Sequence, residues 1–97
     1  MYFVYILKSI KDNNLYTGST TDLLKRIKAH NGGKVKSTQR RKPFKVVYFE
    51  EHLTSLEARR RESFLKSYEG GKLKQDLVSN FPKDRLTQFS NAGPLAN

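Results

Sequence analysis

Two β-forming runs on either side of a polar turn constrain the fold of this chain more than any other feature. The run from Tyr2 to Ile10 is rich in β-branched and aromatic residues, which suit a pleated, half-buried strand. Residues 11–14 supply a turn, because Asp and Asn tolerate left-handed backbone and bond their own main chain. Leu15 to Ser19 returns as a second strand, so the chain opens with a β-hairpin.

The register of this hairpin decides which of its side chains share a face. If residues 11–14 form a four-residue loop, Tyr5 pairs near Thr20. Because side chains alternate along a strand, Tyr5, Tyr16 and Gly18 are then predicted to lie on one face. A slip of one residue would separate them.

The rest of the chain carries the capping signals and apolar spacing of alternating helices and strands. These signals predict a helix over 22–31, which begins at Thr20 or Thr21 and ends at Gly32-Gly33, and then a strand over 44–51. A second helix is predicted from the Thr54–Glu57 capping box to about Tyr68, with a stop at Gly70-Gly71. A short third helix over 72–80 is ended by Pro82. The apolar contacts of the second helix are assigned mainly to Leu56, Phe64, Leu65 and Tyr68. We therefore expect one mixed α/β (α+β) domain over residues 1–80, with three strands and about three helices. Residues 81–97 lack periodicity and are expected to form a flexible tail.

Composition narrows the class of protein. No apolar run approaches the ~20 residues that a membrane span requires, and YFVYIL at the start lacks the flanks of a signal peptide. Cysteine is absent, which removes disulfides and thiolate sites and fits a reducing compartment. With no phosphate-cradling loop motif either, we expect a cytoplasmic protein with no membrane partner and no small-molecule organic cofactor.

The charge of the chain favours a polyanionic partner. Nineteen Lys and Arg residues against nine Asp and Glu residues give a net charge of +10, more than solubility requires. The loop over 32–43 contains no acid, and its five basic residues are Lys34, Lys36, Arg40, Arg41 and Lys42. A solvated loop is the plain alternative, but the overall charge favours a mobile arm that contacts nucleic-acid phosphates.

Five side chains could supply acid–base or electrophilic chemistry: Tyr5, Tyr16, Arg26, His30 and Glu62. Arg26 and His30 stand four residues apart, so their side chains meet on one helix face. Each residue also has a structural interpretation, such as packing for the tyrosines or an ion pair with Lys66 for Glu62. Taken singly, these residues predict only a basic α/β domain that binds nucleic acid.

Four short blocks between residues 2 and 78 stand in a specific order and spacing. They are Val4-Tyr5-Ile6, Tyr16-Thr17-Gly18 about ten residues later, a helix over 24–33 in which His30 follows Arg26, and a segment over 57–66 that contains Glu62. Together they resemble the GIY-YIG nuclease family, and more narrowly its small stand-alone members of the UPF0213 (YhbQ-like) type. Val4 replaces the first glycine of that signature, and Thr17 stands where the second signature has isoleucine.

The resemblance implies the GIY-YIG endonuclease fold, a mainly antiparallel three-stranded sheet flanked by helices, and hydrolysis of phosphodiester bonds in structured, damaged, branched, nicked or single-stranded DNA. It implies that Glu62 binds one Mg²⁺ or Mn²⁺ and that Arg26 contacts the phosphate in bidentate geometry. Tyr16 would orient or deprotonate the attacking water with Tyr5 assisting, and His30 is the alternative base. Gly18 would let the substrate backbone approach closely.

A late asparagine keeps a second function open. Many family nucleases carry such an asparagine in the active site, and the candidates after Glu62 are Asn80, Asn91 and Asn97, none in a recognisable context. The alternative is therefore a nucleic-acid-binding module that keeps the fold and cleaves DNA weakly or not at all.

Overall fold

A computed structural model describes residues 1–89 and places a three-stranded antiparallel sheet between helices. Its elements are β1 (Tyr2–Ser9), β2 (Leu15–Thr20), α1 (Leu23–Asn31), β3 (Phe44–His52), α2 (Ser55–Lys66), α3 (Tyr68–Asn80) and a 3-10 helix (Lys83–Phe89). The strand order is β2-β1-β3, so β2 is an edge strand. The predicted α+β class and the antiparallel sheet are confirmed. Of the helices within residues 1–89, none has the length and apolar character needed to cross a bilayer.

The hairpin register differs from the predicted one by two residues. Tyr5 pairs with Gly18 instead of Thr20, because Asn13 takes the left-handed conformation (φ 62°) and Asn14 joins the ladder opposite Ser9. A shift of two residues preserves the faces, since side chains alternate with a period of two. The prediction that Tyr5, Tyr16 and Gly18 share one face is therefore confirmed.

Each face of the sheet carries its own apolar cluster. Tyr5 and Leu7 of β1 meet Leu23 and Ile27 of α1 on one face. Val4, adjacent to Tyr5 and so on the opposite face, meets Ala58 and Leu65 of α2. A bulge in the β1–β3 pairing lets β3 contribute to the first cluster from positions three apart in sequence, Val46 and Phe49.

The α2 helix buries fewer apolar side chains than predicted. Of the four assigned residues only Leu65 is buried, whereas Leu56, Phe64 and Tyr68 are 48%, 42% and 78% exposed. Small Ala58 supplies the other buried contact, because α2 lies close to the sheet and meets its outer strands through polar side chains. This prediction was wrong.

The second helix ends at Lys66, and Gly70-Gly71 lie inside α3, so the predicted stop was also wrong. Ser67 caps both helices: its backbone N–H donates to the carbonyls of Ser63 and Phe64, and its hydroxyl accepts from the Gly70 N–H at 3.2 Å. Gly70 does not end a helix but permits close packing of two helices. A Cβ at this position would lie 1.8 Å from the Phe64 carbonyl oxygen, so the glycine allows α3 to begin directly against α2.

Residues 81–89, which the sequence placed in a flexible tail, pack on the sheet. Phe81 is buried and meets the rings of Tyr48 and Phe49, each at 5.2 Å between centroids. Phe89 of the 3-10 helix contacts Phe49 at 5.4 Å. The remainder of the predicted tail, residues 90–97, lies outside the described residues.

Candidate active site

Helix α1 brings Arg26 and His30 to the Tyr5 hydroxyl. The helix is capped by Asp22, whose side chain accepts from the Lys25 N–H; the predicted caps were Thr20 or Thr21, so the prediction was early by one or two residues. The 3.6-residue period then places Arg26 and His30 on one face, beside the buried Ile27. Arg26 Nε donates to Tyr5 Oη at 3.4 Å, and Tyr5 Oη lies 3.0 Å from His30 Nε2.

His30 is fully buried and enclosed by aromatic rings. Its centroid lies 5.0 Å from that of Tyr16, 5.9 Å from that of Tyr5 and 5.8 Å from that of Phe44. Burial, together with the positive charge of Arg26, lowers the pKa of His30 to about 4. His30 is therefore neutral at neutral pH, and its Nε2 lies against the Tyr5 hydroxyl inside the fold.

The two tyrosines differ in exposure. Tyr5 is fully buried, and burial raises its pKa to about 12 although the Arg26 hydrogen bond acts in the opposite direction. Tyr16, on the edge strand, is half-buried, and its ring lies 6.5 Å from that of Tyr5. At neutral pH Tyr5 is a phenol, so it can accept a proton only if it passes its own proton on at the same time.

Gly18 has a structural role within the fold, and its predicted role in the approach of the substrate backbone stays a prediction. A Cβ at this position would lie 2.5 Å from Tyr5 Oη and 3.2 Å from Tyr16 Cε2. The missing side chain thus makes room for the Tyr5 hydroxyl within the fold. This space is needed before any substrate arrives.

Glu62 reaches the edge strand from α2. Ser19 Oγ donates to its Oε1 at 2.5 Å, and Lys66 Nζ donates to its Oε2 at 2.7 Å. Lys66 Nζ also lies 6.0 Å from the centroid of the Tyr16 ring, so the Glu62–Lys66 ion pair lies beside Tyr16 at the edge strand. The Glu62 charge is one of the influences that raise the pKa of Tyr5.

A comparison with known protein families identifies the domain. The model of the GIY-YIG catalytic domain matches residues 1–74. The chain belongs to the GIY-YIG family. Members of this family are generally endonucleases, so the domain indicates a nuclease-type function.

Relatives of the UPF0213 type support the narrower prediction. The chain is 54% identical to a UPF0213 protein of Clostridium perfringens over 67 residues, 68% of this chain and 71% of the relative. It is 47% identical to one of Staphylococcus haemolyticus over 68 residues, 69% of this chain and 82% of the relative. The solution NMR structure of a UPF0213 protein from Bacillus halodurans is 42% identical, with 81% of this chain and 84% of that chain covered and a TM-score of 0.48.

The candidate site offers a metal ion one carboxylate, that of Glu62. Within residues 1–89, no group of three or more His, Cys, Asp or Glu side chains is placed to hold a metal. A single carboxylate still fits Mg²⁺ or Mn²⁺, because such hard cations keep several waters and share the phosphate oxygens of a substrate. The Glu62 side chain is 20% exposed and Lys66, 49% exposed, can move away from it, so the residues present fit such an ion.

The basic loop of this family member is anchored to the domain. Thr38 is fully buried, and its hydroxyl lies 2.8 Å from His30 Nδ1. Arg41 forms an ion pair with Asp12 at 2.9 Å, and the backbone carbonyl of Arg41 accepts a hydrogen bond from Ser9 Oγ at 2.6 Å. Of the five predicted phosphate contacts, four are exposed: Lys34, Lys36, Arg40 and Lys42. Arg41 is held by Asp12, and the loop is not the free arm that the sequence suggested.

The late asparagine of the family has no counterpart at the site among the described residues. Asn80, at the end of α3, lines a cavity of about 360 Å³ with Tyr48, Leu77 and Phe81, and none of the five candidate residues lines it. Asn91 and Asn97 lie outside the described residues.

Sequence reasoning missed two partners of the site, Ser19 and Thr38. Ser19 carried a usable signal, since it follows Gly18 and must point to the opposite face, toward α2. Thr38 carried none, because a threonine between basic residues looks like any other loop residue.

Proposed function

We propose that this protein is a divalent-metal-dependent endonuclease that hydrolyses phosphodiester bonds in DNA. One observation carries the proposal: side chains from β1, β2 and α1 form one hydrogen-bonded and aromatic cluster, and a carboxylate from α2 reaches the same edge strand from the other face of the sheet. These residues are Tyr5, Tyr16, Arg26, His30 and Glu62. The net charge of +10 supports a polyanionic substrate.

Arg26 would bind the scissile phosphate. It lines an open groove of about 440 Å³ at the start of α1, whose other lining residues are Thr20, Thr21, Asp22, Lys25 and Ala29. Its Nε already donates to Tyr5, which fixes the direction of the guanidinium. A planar guanidinium contacts two phosphate oxygens at once, and its charge offsets the charge that grows in the transition state.

Glu62 would hold the metal ion. A bound divalent ion would neutralise charge on the phosphoryl oxygens and so lower the barrier to attack. Ser19 would keep Oε1 of the carboxylate oriented by its hydrogen bond, and Lys66 would move away from Oε2 so that this oxygen can bind the ion.

Tyr16 and the Tyr5–His30 pair would handle the attacking water. Tyr16, the more exposed phenol, orients the water. Because Tyr5 is fully buried, binding of the substrate must first admit this water to the Tyr5 hydroxyl. As the water oxygen bonds to phosphorus, its proton moves to the Tyr5 oxygen and the Tyr5 proton moves to His30 Nε2. The bond from phosphorus to the leaving oxygen breaks, and that oxygen takes a proton from solvent. His30 then returns its proton to Tyr5, which releases one to solvent.

Plasmid nicking tests the proposal. Supercoiled plasmid and branched, nicked and single-stranded oligonucleotides are incubated with Mg²⁺ or Mn²⁺ and with wild type, Glu62→Gln and Arg26→Ala. Each variant is expected to lose about 10²–10³-fold in rate, the effect of removing one electrostatic stabiliser. Glu51→Gln, an exposed glutamate of β3, is the matched control and should retain full activity. Equal trace cleavage by all four proteins would indicate a contaminating nuclease and refute the proposal that this protein cleaves DNA.

The binding module is the second candidate, favoured by the Lys66 ammonium on the Glu62 carboxylate and by the position of Asn80. It predicts salt-sensitive DNA binding that survives Glu62→Gln, with no metal-dependent nicking by the wild type.

A further inference from the structure

Thr38 is the buried residue of an otherwise exposed basic segment. Lys36, Ser37, Gln39 and Arg40 around it are exposed, whereas Thr38 has no accessible surface. Its hydroxyl is directed at the site, 2.8 Å from His30 Nδ1. A hydroxyl buried at this point, directly behind the histidine, requires a reason beyond loop packing.

The hydrogen-bond directions around Thr38 follow from what each partner can donate. The Thr38 hydroxyl has one proton, and the Val35 carbonyl, 3.3 Å away, can only accept. If the hydroxyl donates to Val35, its oxygen accepts from His30 Nδ1–H. His30 Nε2 then carries the lone pair and accepts from the Tyr5 hydroxyl, whose oxygen in turn accepts from Arg26.

With this assignment, each donor in the series from Arg26 through Tyr5, His30 and Thr38 to the Val35 carbonyl has an acceptor. The opposite tautomer would place two donors, His30 Nε2–H and Arg26 Nε–H, on the Tyr5 oxygen. The phenol proton would then turn away from His30 and could not pass to it. The two tautomers therefore differ in whether Tyr5 can hand on a proton.

We propose that Thr38 is a positioning residue that holds His30 in the Nδ1–H tautomer, so that His30 Nε2 faces the Tyr5 hydroxyl as a proton acceptor. Its effect on cleavage rests on the proposed nuclease function, but the tautomer itself does not. Three rings enclose the imidazole and fix its plane, so the Thr38 hydroxyl determines which nitrogen carries the proton.

The tautomer can be read directly from the ¹⁵N chemical shifts of the His30 ring. In the wild type near neutral pH we expect a protonated Nδ1 and an unprotonated Nε2. Thr38→Val removes the hydroxyl while keeping the shape, and the Nε2–H form should become the major one. Thr38→Ser restores the hydroxyl and should restore the wild-type shifts.

Thr17→Val is the matched control. Thr17 is also a buried threonine, but its hydroxyl has no partner within the described residues, so its replacement should leave the His30 shifts unchanged. Unfolding midpoints of all four proteins separate loss of stability from loss of the tautomer. If Thr38→Val does not fold, Thr38→Ala, which also lacks the hydroxyl, takes its place in the comparison.

Cleavage kinetics then test the consequence. Thr38→Val should lower kcat about 10²-fold with KM for DNA changed less than about twofold, and Thr38→Ser should recover most of kcat. A wild-type Nε2–H tautomer, or a Thr38→Val spectrum identical to wild type, would overturn the inference. If the tautomer behaves as expected and no protein cleaves DNA, the inference stands and the nuclease proposal fails.

Discussion

The two adjacent glycines of α3 make opposite predictions about stability. A Cβ at Gly70 would lie 1.8 Å from the Phe64 carbonyl oxygen and 2.7 Å from the Leu65 Cα, both backbone atoms of α2. A Cβ at Gly71 would meet nothing within 4 Å. Gly70→Ala and Gly71→Ala therefore introduce the same methyl group into the same helix, one with a backbone collision and one without.

The magnitudes follow from the two environments. Alanine is a better helix former than glycine by about 1 kcal/mol, so Gly71→Ala should stabilise the fold by about that amount. Gly70→Ala gains the same propensity, but no rotamer change relieves a collision with backbone. α3 must move away from α2, where Leu65 is buried, and overpacking of this kind costs about 3 kcal/mol or more. The two variants should differ by about 3 kcal/mol, with wild type between them.

Urea and thermal unfolding followed by far-UV circular dichroism measure the difference. At about 4–8 °C per kcal/mol for a domain of this size, Gly71→Ala should raise Tm by about that interval and Gly70→Ala should lower it by at least twice as much. Equal effects of the two substitutions would refute a continuous α3 that abuts α2 at Gly70. They would favour the stop at Gly70-Gly71 that the sequence suggested.

Two further predictions concern buried polar groups. Because the pKa of His30 is about 4 in the fold against an ordinary 6.5, the unfolded chain takes up the proton first, and stability should fall by about 2 kcal/mol between pH 7 and about pH 4.5. Urea unfolding at the two pH values measures this fall in stability. Asp12 and Glu50, whose pKa values are lowered from 3.8 and 4.5, also lose stabilisation as the pH falls. They cannot offset the effect of His30, so a flat profile would contradict a buried neutral His30. Thr17→Val should stabilise the fold by about 1–2 kcal/mol in the same assay, because it removes a buried hydroxyl that has no hydrogen-bond partner among residues 1–89; a loss of stability would mean that the hydroxyl is bonded.

The side of the sheet on which each tyrosine lies could be predicted from sequence because it depends only on parity. The predicted pairing of Tyr5 was wrong by two residues, yet Tyr5 and Tyr16 remained on one face. The meeting of Arg26 and His30 was equally predictable, since it depends only on the period of a helix. Local rules of this kind located most of the candidate site.

Tertiary contacts decided what local rules could not. A glycine pair ends a helix or permits close packing, and only the position of α2 shows that Gly70 does the second. The state of Arg41 depends on Asp12, 29 residues earlier in the chain, and the burial of Thr38 depends on His30. Phe81 lies in a segment without helical periodicity, so its burial could not be predicted; it is buried because it packs on the aromatic rings of Tyr48 and Phe49 in β3.

The anchoring of the basic loop affects the thermodynamics of binding. The chain on either side is tied by two hydrogen bonds between the Asn31 side chain and the Phe44 backbone, at 2.6 and 3.0 Å, and Thr38 fixes the middle. The conformational entropy of these residues is therefore lost when the domain folds, and not when a polyanion binds. An association that orders no further backbone should show a small heat-capacity change and an affinity governed by the release of counterions.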